Sequence, residues 1–168
     1  SLIFQNAKVP VNNLLYKVGK GAAVAFNTLN IGRFKLGASC LGGSKQIINR
    51  TSQYAKERRA FGQSIANFDA IIKKIAEMTV RTFATDSMIY RTIGLLQTEI
   101  DELDQSSEDY YFKMGEAMEK YAIETSMVKV YGTETSHYVI DEGLQIMGGY
   151  GFLEEYFLAG AYRDDRIN

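Results

Sequence analysis

Residues 110–147, "YYFKMGEAMEKYAIETSMVKVYGTETSHYVIDEGLQIM", decide the fold. Tyr111, Met114, Met118, Tyr121, Thr125, Val128, Gly132, Val139, Gly143 and Ile146 recur at steps of three, four or seven. That is the period of one helical face, sustained for about ten turns. No proline interrupts it, and the whole chain of 168 residues holds only one. The spacing predicts one long amphipathic helix.

Working upstream, "DELDQSSED" (101–109) is an acidic connection, and Ser106 with Asp109 has the spacing of a capping box. Before it, Phe68, Ile72, Ile75, Thr79, Phe83, Ser87, Tyr90, Ile93 and Leu96 mark the inward face of a helix running to about Leu103. "RRAFGQSIANF" (58–68) separates that helix from an earlier one. Arg58 and Arg59 suit a helix C-terminus, Gly62 a stop, and Asn67 a cap for the next helix. The earlier helix places Phe34, Ala38, Leu41, Ile48 and Ala55 on one face. Within it, "GASCLGGS" (37–44) is nearly all small residues, suited to a close approach between helices. Three helices of roughly 50 Å each with short links form an up-down bundle of antiparallel neighbours, all-α and short of the usual fourth helix. Residues 1–16, "SLIFQNAKVPVNNLLY", read instead as a short strand and an Asn12-Asn13 turn. A lone strand has no stability without partners. The expected division is therefore a remnant of a preceding β-domain at 1–16 and the helical domain at 17–168.

Composition narrows the functions available. Net charge is −1, with 19 basic and 20 acidic side chains, which is no footprint for nucleic acid. No apolar run is long enough to span a membrane. One cysteine, Cys40, precludes an intrachain disulfide and reads as a buried, inert thiol. A lone His137 and Cys40 cannot make a metal site, and a single histidine leaves no catalytic triad. His137 reads as a partly exposed structural residue. Glu142, Glu154, Glu155, Asp164 and Asp165 read as solvated or paired with Arg163 and Arg166.

Two places carry more. "ERRAFG" (57–62) sets a guanidinium, an aromatic ring and a glycine at a helix end, a combination suited to a phosphate. "QIMGGYGF" (145–152) has three glycines where a helix cap needs one. Surplus glycine admits a backbone or a flat ligand where a Cβ would obstruct it, and Gln145 adds an amide donor and acceptor.

Four segments in this order, "LNIGRFKLGASCLGG" (29–43), "YAKERRAFGQSIANFDAI" (54–71), "QIMGGYGFLEEY" (145–156) and "YRDDRI" (162–167), resemble the C-terminal helical domain of acyl-CoA dehydrogenases. The "NxGRF" and "FGxxIxNF" forms are nearest the very-long-chain subgroup. The resemblance covers nearly the whole chain. It implies a flavoprotein of fatty acid β-oxidation that dehydrogenates an acyl-CoA thioester between its α and β carbons. Flavin adenine dinucleotide (FAD) is the implied cofactor and an electron-transfer flavoprotein the implied electron acceptor. A homodimer or homotetramer in a bacterial cytoplasm or mitochondrial matrix is implied as well. Arg58 and Phe61, with Gln145, Gly148 and Gly149, are the implied contacts to the FAD of a neighbouring protomer. Asn30 and Arg33 are the implied borders of the acyl-CoA. The family's catalytic glutamate falls beyond Asn168, and its alternative position, before Arg33, is Gly32 here. By the resemblance these 168 residues alone are inactive. Phe157, Leu158 and Gly160 stand where the family has a proline and a charged turn, which puts the short helix before Arg163 in question. Two other readings stay open: a non-catalytic helical oligomerisation module, and an acyl-CoA oxidase.

Overall fold

A computed structural model describes residues 2–168. Helix α1 spans Gly21–Glu57, and a minimal hairpin follows, with β1 at Arg59–Ala60 and β2 at Gln63–Ser64. Helix α2 spans Asp69–Asp101, α3 Tyr110–Lys120 and α4 Ala122–Met147. The short helices α5, Gly149–Phe152, and α6, Phe157–Asp165, complete the chain. None of these helices is long and apolar enough to cross a membrane.

Lys45 pairs with Asp86 at 3.0 Å between α1 and α2, and Lys74 pairs with Glu142 between α2 and α4. With the Arg81 guanidinium over the Tyr138 ring as a second α2–α4 contact, and the short hairpin turning the chain back after α1, α2 runs antiparallel to both. Helices α1 and α4 run parallel: Gly37 lies against Val128 and Gly132, Thr51 against Gly143, and Tyr54 against Met147. The close approach expected of 37–44 is met chiefly at Gly37. A Cβ on Gly132 would stand 3.2 Å from the Gly37 Cα. Gly42 and Gly43 face open space. On α1, Leu41 and Ala55 of the expected face are buried, joined by Cys40, Ser44, Ile47 and Thr51.

One core cluster joins Ile47, Ala55, Met78, Val139, Ile140, Ile146, Met147 and Leu158; a second joins Leu41, Ile89 and Val128. Leu158 anchors α6, so the short helix forms despite its unusual residues.

The inward face expected for α2 is wrong for most of its length. Phe83 is 71% exposed and Tyr90 66%, while Met78, Thr82, Thr85, Ile89, Thr92 and Leu96 are buried. Thr85 and Thr92 can occupy the interior because their hydroxyls return to the backbone one turn earlier, whereas the Thr82 hydroxyl is buried without a partner among the described residues. Thr85 donates to Arg81 O at 3.0 Å and Thr92 to Met88 O at 2.9 Å.

The third predicted helix is two. It breaks at Tyr121, whose φ of −103° and ψ of 26° leave the helical region. The Tyr121 hydroxyl donates to Glu99 at 3.1 Å, beside the Lys120–Glu99 pair, which ties the break to the end of α2. The face from Thr125 to Ile146 is otherwise as expected, whereas Tyr111 is exposed.

The connection at 58–68 also differs from its reading. Helix α1 ends at Glu57, and Gly62 is the second residue of the hairpin turn rather than a helix stop. Phe68, not Asn67, precedes α2. The capping box does not form: Ser106 bonds Asp104, and no side chain caps α3. Among residues 2–20 no strand forms, since no strand among the described residues pairs with them; a 3-10 turn at Val11–Asn13 holds the expected Asn-Asn turn. Ser1, the first residue of that expected strand, lies outside the described residues.

Candidate functional site

The ends of α1 and α4 meet, and the hairpin folds back on the end of α1. Ser64 in β2 donates to Ala55 O at 2.9 Å and to Lys56 O at 3.0 Å, satisfying carbonyls that a helix end leaves free. Arg58 is fixed through its backbone: its N–H donates to Tyr54 O at 2.8 Å, and its carbonyl accepts from Ile65 N at 2.9 Å. Between the strands, Phe61 at φ +52° and Gly62 at φ +83° make a two-residue turn with both central residues left-handed. A bulky residue there is strained by about 1–3 kcal/mol. Phe61 is also 95% exposed, touching Phe68 edge-on with ring centroids 6.2 Å apart. A strained, exposed aromatic ring is a feature the fold itself does not require.

Arg58 is exposed and forms no ion pair among the described residues. Its Cζ lies 5.7 Å from the centre of the Tyr150 ring. Tyr150 in turn meets Tyr54 at 6.4 Å and Tyr156 at 5.3 Å. The Tyr54 hydroxyl reaches the Met147 carbonyl at 3.4 Å, and burial pushes its pKa up, so it stays a neutral donor.

The fold explains two of the three glycines, each in its own way. Gly148 terminates α4 at φ +58° and ψ −137°, a conformation essentially reserved for glycine. Gly151 sits so close to α4 that a Cβ would stand 2.8 Å from the Leu144 carbonyl oxygen. Gly149 has neither constraint, and a Cβ on it would point into open space. Gln145, one turn earlier, is exposed. Arg58, Gln145, Gly148 and Gly149 therefore share one end of the bundle, with Phe61 on the hairpin beside them.

Asn30 and Arg33 lie elsewhere. Arg33 Nη1 donates to the buried Asn30 Oδ1 at 3.0 Å. Arg33 stands at the rim of a groove lined by Met88, Ile123, Met127, Val130 and Tyr131. From Asn30 to Arg58 is about 40 Å along α1 at 1.5 Å per residue.

The remaining polar residues are structural. His137 Nδ1 meets Asp165 Oδ2 at 2.9 Å, fastening α6 to α4. Asp165 was expected to be solvated or paired with arginine, yet its side chain is only 2% exposed and its partner is His137. Glu154 pairs with Arg163, while Glu142 pairs with Lys74 instead. Burial pushes the Cys40 thiol up, in keeping with an inert side chain. Sequence reasoning missed Tyr54, Ser64 and Tyr150. The only hint was Tyr54 standing one helical turn before Arg58.

A family model described as "Acyl-CoA dehydrogenase, C-terminal domain" matches residues 19–168. A probable acyl-CoA dehydrogenase of Bacillus subtilis is 44% identical over 168 residues, covering 100% of this chain and 28% of the relative. The mitochondrial very long-chain specific acyl-CoA dehydrogenase of Rattus norvegicus is 37% identical over 164 residues, 98% of this chain and 22% of the relative. The crystal structure of an acyl-CoA dehydrogenase complexed with FAD from Bacillus anthracis superposes with a TM-score of 0.94 at 44% identity. That match covers 98% of this chain and 28% of the other. The chain thus spans less than a third of the length of these relatives. On the match over residues 19–168, it belongs to the acyl-CoA dehydrogenase family and carries the family's C-terminal domain.

Proposed function

We propose that this chain is the C-terminal helical part of a flavin-dependent acyl-CoA dehydrogenase, contributing cofactor binding and oligomerisation. Residues 1–16 are then the exit of a preceding β-domain and 17–168 the bundle, lacking its last helix. The single observation that carries the reading is Arg58, an exposed guanidinium with no carboxylate partner among the described residues, near the ring of Tyr150, the residue after the open Gly149. A planar fork of donors suits the pyrophosphate of FAD, and charge-assisted bonds of that kind are about twice as strong as neutral ones.

The residues present fit that cofactor. Gly148 and Gly149 offer a surface free of side chains, Gln145 an exposed amide, and Phe61 an exposed ring. When bound, FAD supplies the hydride acceptor for the β-carbon of the thioester. At the far end of α1, Arg33 is oriented by Asn30 beside an apolar groove, an arrangement suited to a chain with an anionic end, as acyl-CoA is. The separation of about 40 Å between the two sets favours a centre completed by two protomers, as a homodimer or homotetramer. The base that removes the α-proton is a glutamate expected beyond Asn168. The electron acceptor is an electron-transfer flavoprotein, and the compartment a bacterial cytoplasm or mitochondrial matrix.

Flavin titration of the deflavinated full-length polypeptide tests the site. Arg58→Met is expected to weaken FAD about tenfold, the lower range for a hydrogen bond to a charged group. An unchanged dissociation constant would remove Arg58 from the cofactor site. The 168-residue chain by itself is expected to give no dye-coupled oxidation of acyl-CoA, and measurable turnover would refute that. Exposed apolar residues along α2, including Phe83 and Tyr90, support the competing reading of an assembly module. The titration separates the two, because a pure assembly module has no use for Arg58.

A further inference from the structure

We propose that Tyr150 is a positioning residue for the cofactor: its ring holds the Arg58 guanidinium in place, leaving the N–H donors free for an anion. The proposal rests on the reading that Arg58 meets the FAD phosphates. An arginine on a surface ordinarily samples many rotamers, and fixing it on binding costs affinity. Here the Arg58 Cζ stands 5.7 Å from the Tyr150 ring centre, within the range of a cation–π contact. A ring carries no carboxylate oxygen, so this contact leaves the guanidinium N–H donors unpaired with any anion of the chain.

Tyr150 is 41% exposed, and its ring is flanked by two other tyrosines. Tyr150 sits between Tyr54, edge-on at 6.4 Å, and Tyr156 at 5.3 Å. Tyr54 is anchored by its hydroxyl on the Met147 carbonyl. The Tyr150 backbone lies in the turn locked by Gly151 N donating to Gly148 O at 2.9 Å. Gly151 then packs too closely on Leu144 for the turn to shift. Two residues 92 positions apart in sequence are thus joined by an aromatic bracket. The absence of any carboxylate partner for Arg58 among the described residues separates this from an ordinary ion-pair network. A carboxylate would have fixed the arginine equally well, but it would have neutralised the charge and occupied the donors.

FAD titration of the deflavinated full-length polypeptide decides it, with four variants. Tyr150→Leu is expected to weaken FAD about fivefold, and Tyr150→Phe, which keeps the ring, to stay within about twofold of the parent. In an Arg58→Met background, Tyr150→Leu should have no further effect, because the cation it holds is gone. Should Tyr150→Leu not fold, Tyr150→Met retains bulk without a ring and carries the same expectations. An equal loss in the Arg58→Met background overturns the proposal, as does a Tyr150→Phe variant as weak as Tyr150→Leu. If Arg58→Met weakens FAD and Tyr150→Leu does not, only the bracket falls. No effect of Arg58→Met removes Arg58 from the cofactor site and the bracket with it.

Discussion

Gly37→Val is expected to destabilise the bundle by about 3 kcal/mol, the upper range for overpacking a core. Helices α1 and α4 touch backbone to backbone at this point. A Cβ on Gly37 would lie 2.5 Å from Val128 Cγ1 and 3.0 Å from the Val128 carbonyl oxygen. The first contact could be relieved by a rotamer change at Val128. The second involves backbone and can be relieved only by moving a helix. Moving it would also disturb Gly132 on the same seam, and the cores around Val128 and Val139 above and below. A domain of this length should lose on the order of 10 °C in thermal midpoint. Gly42→Ala, five residues along the same helix, is the control. A Cβ there meets nothing within 4 Å, so the change should raise stability by about 0.5–1 kcal/mol through backbone entropy alone. Equal losses at both positions would mean that helix–helix contact is not what the glycine at 37 serves.

That seam was legible in the sequence because small residues are unusual inside a long helix, and the face of α4 because Val128, Gly132, Val139, Gly143 and Ile146 keep helical spacing. The face of α2 misled for a physical reason. Its most apolar stripe, through Ile72, Phe83, Tyr90 and Ile93, points outward, while its buried stripe contains Thr82, Thr85 and Thr92. Hydropathy ranks the first stripe above the second. What permits the second at Thr85 and Thr92 is the local return of the hydroxyl to its own helix, which costs the core no unpaired donor there, whereas the Thr82 hydroxyl is buried without a partner among the described residues. The hairpin was illegible because its turn places phenylalanine, not asparagine or glycine, at a left-handed position. Chemistry alone pointed to an arginine within 57–62, and only the family resemblance singled out Arg58. The tyrosines that hold it could not be named, because Tyr54 and Tyr150 become neighbours only once α1 and α4 pack.

The glycines at the end of α4 allow fold and function to be separated by single methyl groups. Gly148→Ala is expected to cost about 2 kcal/mol, since an L-residue at φ +58° and ψ −137° has no comfortable conformation. The turn must then open, and Tyr150 moves with it, so FAD binding should fall together with stability. Gly151→Ala should behave in the same way, because its methyl would meet the Leu144 carbonyl oxygen at 2.8 Å, which is backbone and cannot step aside. Gly149→Ala is the informative member of the series. Its backbone is ordinary and its methyl would enter open space, so thermal stability should be unchanged or slightly improved. If a cofactor lies against this turn, the same methyl occupies the surface the cofactor needs, and FAD affinity should drop while the melting point holds. Affinity that survives Gly149→Ala would leave that glycine with no purpose in cofactor binding, and would move the proposed contact away from the helix end altogether.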